Sequence, residues 1–364
     1  MSQLLILGAA GAVGSELSRK LSAQGHDLRL VDRDGGALER LAGELGAEAR
    51  TMDLGGGAPD AALFDGVAIA IDAAGPLGAR DLSWAKAAIE AGADWLDLAE
   101  TRERALAIEE LNDLAAERGR VALSAAGTFC GLTEPLVREA IDDLTRVNEV
   151  LFGVFLGNAQ RLGAGSFEAF AASLSKPVKM LIGGEWTERE PFGDVRAFAH
   201  PEPFGDVKSG NIDGADLEVF TGKGYKSASV RISLAVASGW KRRMLIRMAG
   251  KARAGQGGDA GALAKKLRRW SGSKAGEGCL TMVVRGINAK RMPQEARVAL
   301  VAPPQGVALV TAPIECLVPK LLGDARPDPG ARPCTRVLDV GELLANLEGQ
   351  GVRVHRGDLG GWRS

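Results

Sequence analysis

Residues 4–17 read LLILGAAGAVGSEL, and the organisation of the chain follows from this stretch. Leu4 to Leu7, closed by Gly8, form a short apolar run that reads as a first strand. Three glycines follow, Gly8, Gly11 and Gly14, spaced G-x-x-G-x-x-G where the better-known fingerprint is G-x-G-x-x-G. Val13, Leu17 and Leu21 then recur every four residues, the period of an amphipathic helix. Strand, glycine turn and helix make either a tight connection without a ligand or a diphosphate cradle. In the second case backbone N–H groups and the helix dipole meet the anion.

The next segment favours the cradle. "DLRLVDR" reads as a second strand, and Asp32 closes it 18 residues after Gly14, where an acid bonds the adenosine ribose of a dinucleotide. The phosphate contacts then fall to Gly8, Ala10, Gly11, Ala12, Val13 and Gly14. Asp32 favours NAD, because a carboxylate repels a 2′-phosphate. Arg33 beside it argues for NADP, because a guanidinium clamps that phosphate or stacks on adenine. Asp53 ends the third strand, "AEARTMD", as either an adenine contact or a surface-loop aspartate. "GVAIAIDAAGP" supplies a fourth strand, and Ala74 and Gly75 are small enough to let a nicotinamide approach the backbone.

Further along, "ADWLDL" and "RVALSAAG" read as strands five and six, with a long helix over "RERALAIEELNDLAAERG" ending at Gly119. Six strands alternating with helices predict an α/β fold with a Rossmann-like, doubly wound parallel sheet over residues 1–130. A helix near 307–323, kinked or ended by Pro313, is expected to return to this domain. Residues 131–306 carry longer, more alternating strand candidates, among them "VNEVLFGVFLG", "LEVFTG", "SASVRISLAV", "CLTMVVRGI" and "EARVALVA". They predict a second α+β domain for substrate and dimerisation, built on a mixed or antiparallel sheet. A C-terminal helix and strand fill 324–364.

Composition agrees with a folded protein: 364 residues, 46% hydrophobic and 25% charged. No apolar run approaches the roughly 20 residues that span a bilayer, and the first residues lack a secretory pattern. The expectation is a soluble, cytoplasmic protein. Four cysteines without C-x-x-C spacing and three scattered histidines suggest reduced thiols and no metal site. The net charge of −1 conceals a polarity. Residues 1–150 hold 14 Lys and Arg against 26 Asp and Glu, whereas residues 240–291 hold 14 against 2. "GWKRRMLIRMAGKAR" and "KKLRRW" interleave those cations with Trp, Met, Leu and Ile. They read as basic amphipathic helices for an anionic membrane surface or an acidic carrier protein, or as a solvated face meeting a neighbouring subunit. No nucleic-acid motif accompanies the charge.

Taken together, "GAAGAVG" (Gly8 to Gly14), "DAAGPLG" (Asp72 to Gly78), "AIEAGADWLDLAE" (Ala88 to Glu100) and "AAGTFCGLTEPLV" (Ala125 to Val137) resemble the saccharopine dehydrogenase-like oxidoreductases. The resemblance covers residues 3–145. It implies a nicotinamide cofactor with a lean to NADP over NAD, hydride transfer, and a homodimer. Relatives act on C–N bonds of amino-acid adducts, and others on lipid-linked substrates. Trp95 replaces the family's tyrosine, and Cys130 stands where its proline precedes Gly131. Candidates for handling the proton are Asp97 and Glu100, at the carboxyl end of strand five, and Cys130. By the alternative readings Asp97 caps the following helix and Cys130 is a small hydrophobe. His200 lies in an aromatic-rich loop, lining a cleft or solvated. The expected activity is hydride transfer at an imine or secondary amine of an amino-acid-derived substrate. The alternatives are a reductase of a lipid- or carrier-bound acyl group and a non-catalytic NAD(P)-binding protein.

Overall fold

Leu4 to Leu7 are wholly buried at the centre of the first sheet, which accounts for an apolar run with no polar alternation. The computed structural model describes residues 3–362 except 56–57, 77–80, 100, 158–163, 223–224, 226, 237, 255, 257–262, 266–275 and 305. The chain divides into two compact units. The first comprises Met1–Leu132, Arg161–Ser166 and Leu309–Asp339; the second comprises Thr133–Gln160, Phe167–Ala308 and Val340–Ser364.

In the first unit, β1 (Gln3–Leu7), β2 (Asp27–Asp32), β3 (Glu48–Thr51), β4 (Val67–Asp72), β5 (Asp94–Asp97), β6 (Val121–Ser124) and β15 (Gly330–Pro333) form one sheet. All pairings are parallel, in the order β15-β6-β5-β4-β1-β2-β3. The strand order reverses between β1 and β4, so their carboxyl ends flank the crevice where such sheets take ligands. Helices α1 (Ala12–Ala23), α2 (Gly35–Leu45) and α3 (Ser83–Glu90) connect the strands. On one face Phe64, Trp84, Ile89, Trp95 and Ile108 pack into a continuous core. A fully buried side chain of this size contributes about 1.5–3 kcal/mol.

Three sequence expectations need correction in this unit. The strands number seven, because β15 adds to the edge of β6. Its four residues, GARP, carry no period, and proline is tolerated there because an edge strand leaves one row of N–H groups unused. The long helix after strand five is divided into α4 (Arg102–Ala107), a 3-10 turn (Ile108–Leu111) and α5 (Asn112–Glu117). At the break the side-chain oxygen of Asn112 accepts the Ala331 N–H of β15 at 3.2 Å. Finally, the helix Ala308–Leu322 (α10 in chain order) runs through both Pro313 and Pro319. Proline at 313 strips the Leu309 carbonyl of its helical donor, and the Thr128 hydroxyl donates to that oxygen instead, at 3.3 Å.

In the second unit, β7 (Leu144–Leu156) lies between β12 (Ser229–Val236), to which it is parallel, and β13 (Gly278–Asn288), to which it is antiparallel. The sheet is therefore mixed. Strand β13 pairs with β14 (Pro293–Ala302), and the C-terminal strands β16 (Arg353–Asp358) and β17 (Gly361–Trp362) extend that edge. Beyond β12 come β11 (Asp206–Asn211) and β10 (Arg196–Ala199), and a hairpin of β8 (Val178–Ile182) and β9 (Glu185–Arg189) branches from it. Helices α6 (Thr133–Ile141), α9 (Gly239–Arg253) and α11 (Val340–Gly349) belong to this unit. "LEVFTG" is not a strand: Asp216–Val219 form a helical turn (α8), which sets Phe220 against Phe152 and Tyr225 with centroids 5.6 and 5.0 Å apart. The second basic stretch, "KKLRRW", lies outside the described residues except at its first lysine.

Candidate nucleotide site

The opening glycines are required by contact. Gly8 has φ +76°, and a Cβ there would lie 2.4 Å from the Ala74 Cα at the end of β4. A Cβ on Gly14 would lie 2.1 Å from the Gly8 carbonyl oxygen. Helix α1 is thereby drawn against the turn by backbone contact that any side chain would open. Gly11 is the N-cap, extended and without a side-chain acceptor for the first N–H groups. The first turn of a helix has no intrahelical acceptors for those donors, and Gly11 is exposed while Ala10, Ala12 and Val13 are partly so. A helix N-terminus of this kind, with backbone N–H groups and the positive end of the helix dipole, suits an anion.

Asp32 is tied to this turn. Its Oδ2 accepts the Ala10 N–H and its Oδ1 accepts the Asp34 N–H, both at 3.0 Å. The carboxylate is thus fixed beside the cradle, with acceptor capacity left for ribose hydroxyls. Arg33 is exposed. Asp53 is also exposed and accepts the Gly55 N–H at 3.1 Å in a local turn, so its surface-loop reading describes the arrangement seen. On the other side of β1, Asp72 accepts the Ala74 N–H at 3.0 Å, which shapes the Ala73–Gly75 segment. Gly75 abuts Gly165, whose Cα would lie 2.7 Å from a Cβ at position 75.

Asp97 has a structural role. Its Oδ1 accepts the Ser124 hydroxyl (2.6 Å) and the N–H groups of Ala99 (3.1 Å) and Ala125 (3.2 Å). Its Oδ2 accepts the Trp95 indole N–H and pairs with Arg104, both at 3.0 Å. With five donors on two oxygens and 2% exposure, it has no position from which to exchange a proton with a ligand. It does not cap the following helix, whose N-cap is Thr101 without a side-chain cap bond; it fastens β5 to the loop after β6.

That loop is backbone-dominated. Ala125 (φ +56°) and Cys130 (φ +61°) are both left-handed, and Ala126 and Cys130 form an isolated antiparallel bridge. Proline, fixed near −65°, cannot adopt the conformation of Cys130, so the departure from the family pattern goes with a different turn. Cys130 is fully buried. Glu100 lies outside the described residues.

His200 belongs to the second unit and is neither solvated nor cleft-lining. At 2% exposure it packs among Phe155, Phe198 and Phe204, with Nδ1 2.8 Å from the Thr281 hydroxyl. Burial pushes its pKa down to about 4, with Asp206 pulling weakly the other way. Sequence reasoning missed Glu134, a buried carboxylate of α6 that accepts from Tyr225 and pairs with Arg138 at 3.1 Å. The available signal was that Tyr225 is the only tyrosine of the chain. Among the described residues no cluster of His, Cys, Asp and Glu is arranged to hold a metal.

Comparison with known proteins agrees with this geometry. Residues 4–123 match the family described as "Saccharopine dehydrogenase NADP binding domain". No curated protein matches the sequence. Among solved structures, the apo saccharopine dehydrogenase (L-Glu forming) of Saccharomyces cerevisiae superposes with a TM-score of 0.70 at 13% identity, covering 99% of this chain and 100% of that one. A biliverdin reductase from Synechocystis sp., in complex with biliverdin and NADP+, gives a TM-score of 0.40 at 13% identity, covering 95% and 96%. Residues 4–123 are thus similar to a saccharopine dehydrogenase-type NAD(P)-binding domain, and the chain as a whole has a fold like that of the yeast enzyme.

Proposed function

We propose that the chain is an NADP-dependent oxidoreductase that moves a hydride to or from the carbon of a C–N centre in an amino-acid-derived substrate. The observation that carries this reading is the glycine cradle locked to Asp32 and Ala74, a site in which added Cβ atoms would occupy the space of the turn. Gly8 to Gly14 would hold the diphosphate through backbone N–H groups, and Asp32 the adenosine ribose. The exposed Arg33 would meet a 2′-phosphate, and the NADP named in the family description supports that choice. A nicotinamide bound there supplies or accepts the hydride.

The substrate class is supported by the likeness to the yeast saccharopine dehydrogenase, together with the chemistry of the two loops. Residues 73–75 and 125–131 offer backbone, small side chains and Phe129, and the one ionisable group of these segments, Cys130, is buried. Hydride delivery to an iminium carbon yields the amine directly, and removal of hydride from a neutral secondary amine yields the iminium. The hydride step itself therefore needs no protein acid. Proton exchange at nitrogen is assigned to Glu100, since Asp97 is saturated and Cys130 enclosed.

The test is a fluorescence titration with NADPH and NADH, followed by NADPH oxidation assays over pairs of amino acids with keto acids or aldehydes. The reading expects tighter binding of NADPH and turnover with at least one such pair, lowered in Glu100→Gln. Cofactor binding without turnover across the panel, or turnover confined to acyl thioesters, would overturn it.

A further inference from the structure

Helix α9 presents two dissimilar faces. Leu245, Met248 and Ala249 are buried within the second unit, whereas Trp240, Arg243, Ile246, Arg247 and Lys251 are exposed. At about 100° per residue, Trp240, Arg243, Arg247 and Lys251 fall within an arc of roughly 80°, with Ile246 on its flank. Trp240 exposes 60% of its surface and Ile246 39%. The helix holds six Lys and Arg, and no acidic residue occurs anywhere in residues 237–258.

We infer that this face docks the chain on an anionic lipid bilayer as a peripheral, interfacial helix. Large apolar side chains left in water beside cations that have no acidic neighbours on their own helix match the headgroup boundary of such a bilayer. Indole sits at that level, aliphatic groups enter the acyl edge, and Arg and Lys pair with lipid phosphates and carboxylates. Among the described residues no helix is long and apolar enough to cross a membrane, so the mode is lying on the surface. A nucleic acid satisfies the cations but gives no role to exposed Ile246. The inference is independent of the proposed reaction.

The experiment is co-sedimentation of the full chain with vesicles of phosphatidylcholine alone or with about 30% phosphatidylserine, at about 50 and 500 mM salt. Binding is expected on the anionic vesicles only, falling at least about tenfold at high salt. The triple variant Arg243→Gln, Arg247→Gln, Lys251→Gln should lose about tenfold in partitioning and Trp240→Ala about fivefold. The triple variant should keep the wild-type melting temperature, because its three side chains are exposed. Equal binding to neutral vesicles, no binding at low salt, or variants that bind like wild type would overturn the inference. So would capture by polyglutamate without vesicle binding, which would assign the face to an acidic protein.

Discussion

The substitution Asp97→Asn separates a structural carboxylate from a catalytic one. If the new amide keeps its carbonyl oxygen at the Oδ1 position, the bonds from Ser124, Ala99 and Ala125 survive. Its NH2 group then faces two donors, the Trp95 indole N–H and the Arg104 guanidinium, each 3.0 Å from the present Oδ2. Arg104 is 8% exposed, and its Nη1 already finds no acceptor among the described residues. Breaking a buried pair in this way costs about 3–5 kcal/mol, and a buried unsatisfied donor about 1–3 kcal/mol. Because the local structure relaxes, the expected loss is about 4 kcal/mol, or about 8–16 °C in melting temperature for a unit of this size. The assay is thermal and urea unfolding, with NADPH affinity and turnover measured on the folded fraction. Adding Arg104→Met to Asp97→Asn should cost less than the sum of the single changes, because the orphaned cation is gone. A loss under about 1 kcal/mol, with turnover of the folded enzyme down more than a hundredfold, would refute the argument and restore Asp97 as a proton carrier.

Three further outcomes follow from the structure. Gly11→Val places a branched side chain on the exposed N-cap, where a Cβ meets only the Gly8 oxygen at 3.1 Å. Dinucleotide affinity should fall at least about tenfold, or about 1.4 kcal/mol, with little change in melting, and unchanged affinity would count against the cradle. His200 has its pKa lowered from 6.5 to about 4. The unfolded chain therefore binds the extra proton first, and stability is full above pH 6.5 and drains by up to about 3 kcal/mol as pH falls toward 4. His200→Gln should flatten that slope in urea titrations, and an unaltered slope would reject the assignment. Thr128→Val leaves the Leu309 carbonyl without its hydroxyl donor; a loss of about 1 kcal/mol in urea unfolding is expected, and none at all would mean that the carbonyl finds another partner.

Much of the first domain was legible because its rules are local. The apolar runs of β1 and β4, the helical period of α1 and the acid closing β2 each report one element, and their order permits few topologies. The glycine positions were legible for the same reason: a turn that close to a helix admits no side chain, and the sequence shows none.

What only the tertiary structure decided depends on residues distant in sequence. Asp97 is a fastening because Ser124, Ala125 and Arg104 converge on it, and nothing in "WLDLAE" counts its donors. Pro313 is accommodated inside α10 because Thr128, far away in the chain, supplies the missing hydrogen bond. Strand β15 exists because the edge of β6 offers backbone partners, not because GARP prefers to be extended. His200 became a core residue when three phenylalanines closed over it. The sequence by itself determined the strand, the glycine turn and the acid that closes β2, since each is written in a short, contiguous segment. Whether a polar group faces solvent, a ligand or another side chain was decided by long-range packing, because burial and hydrogen-bond saturation belong to the assembled fold.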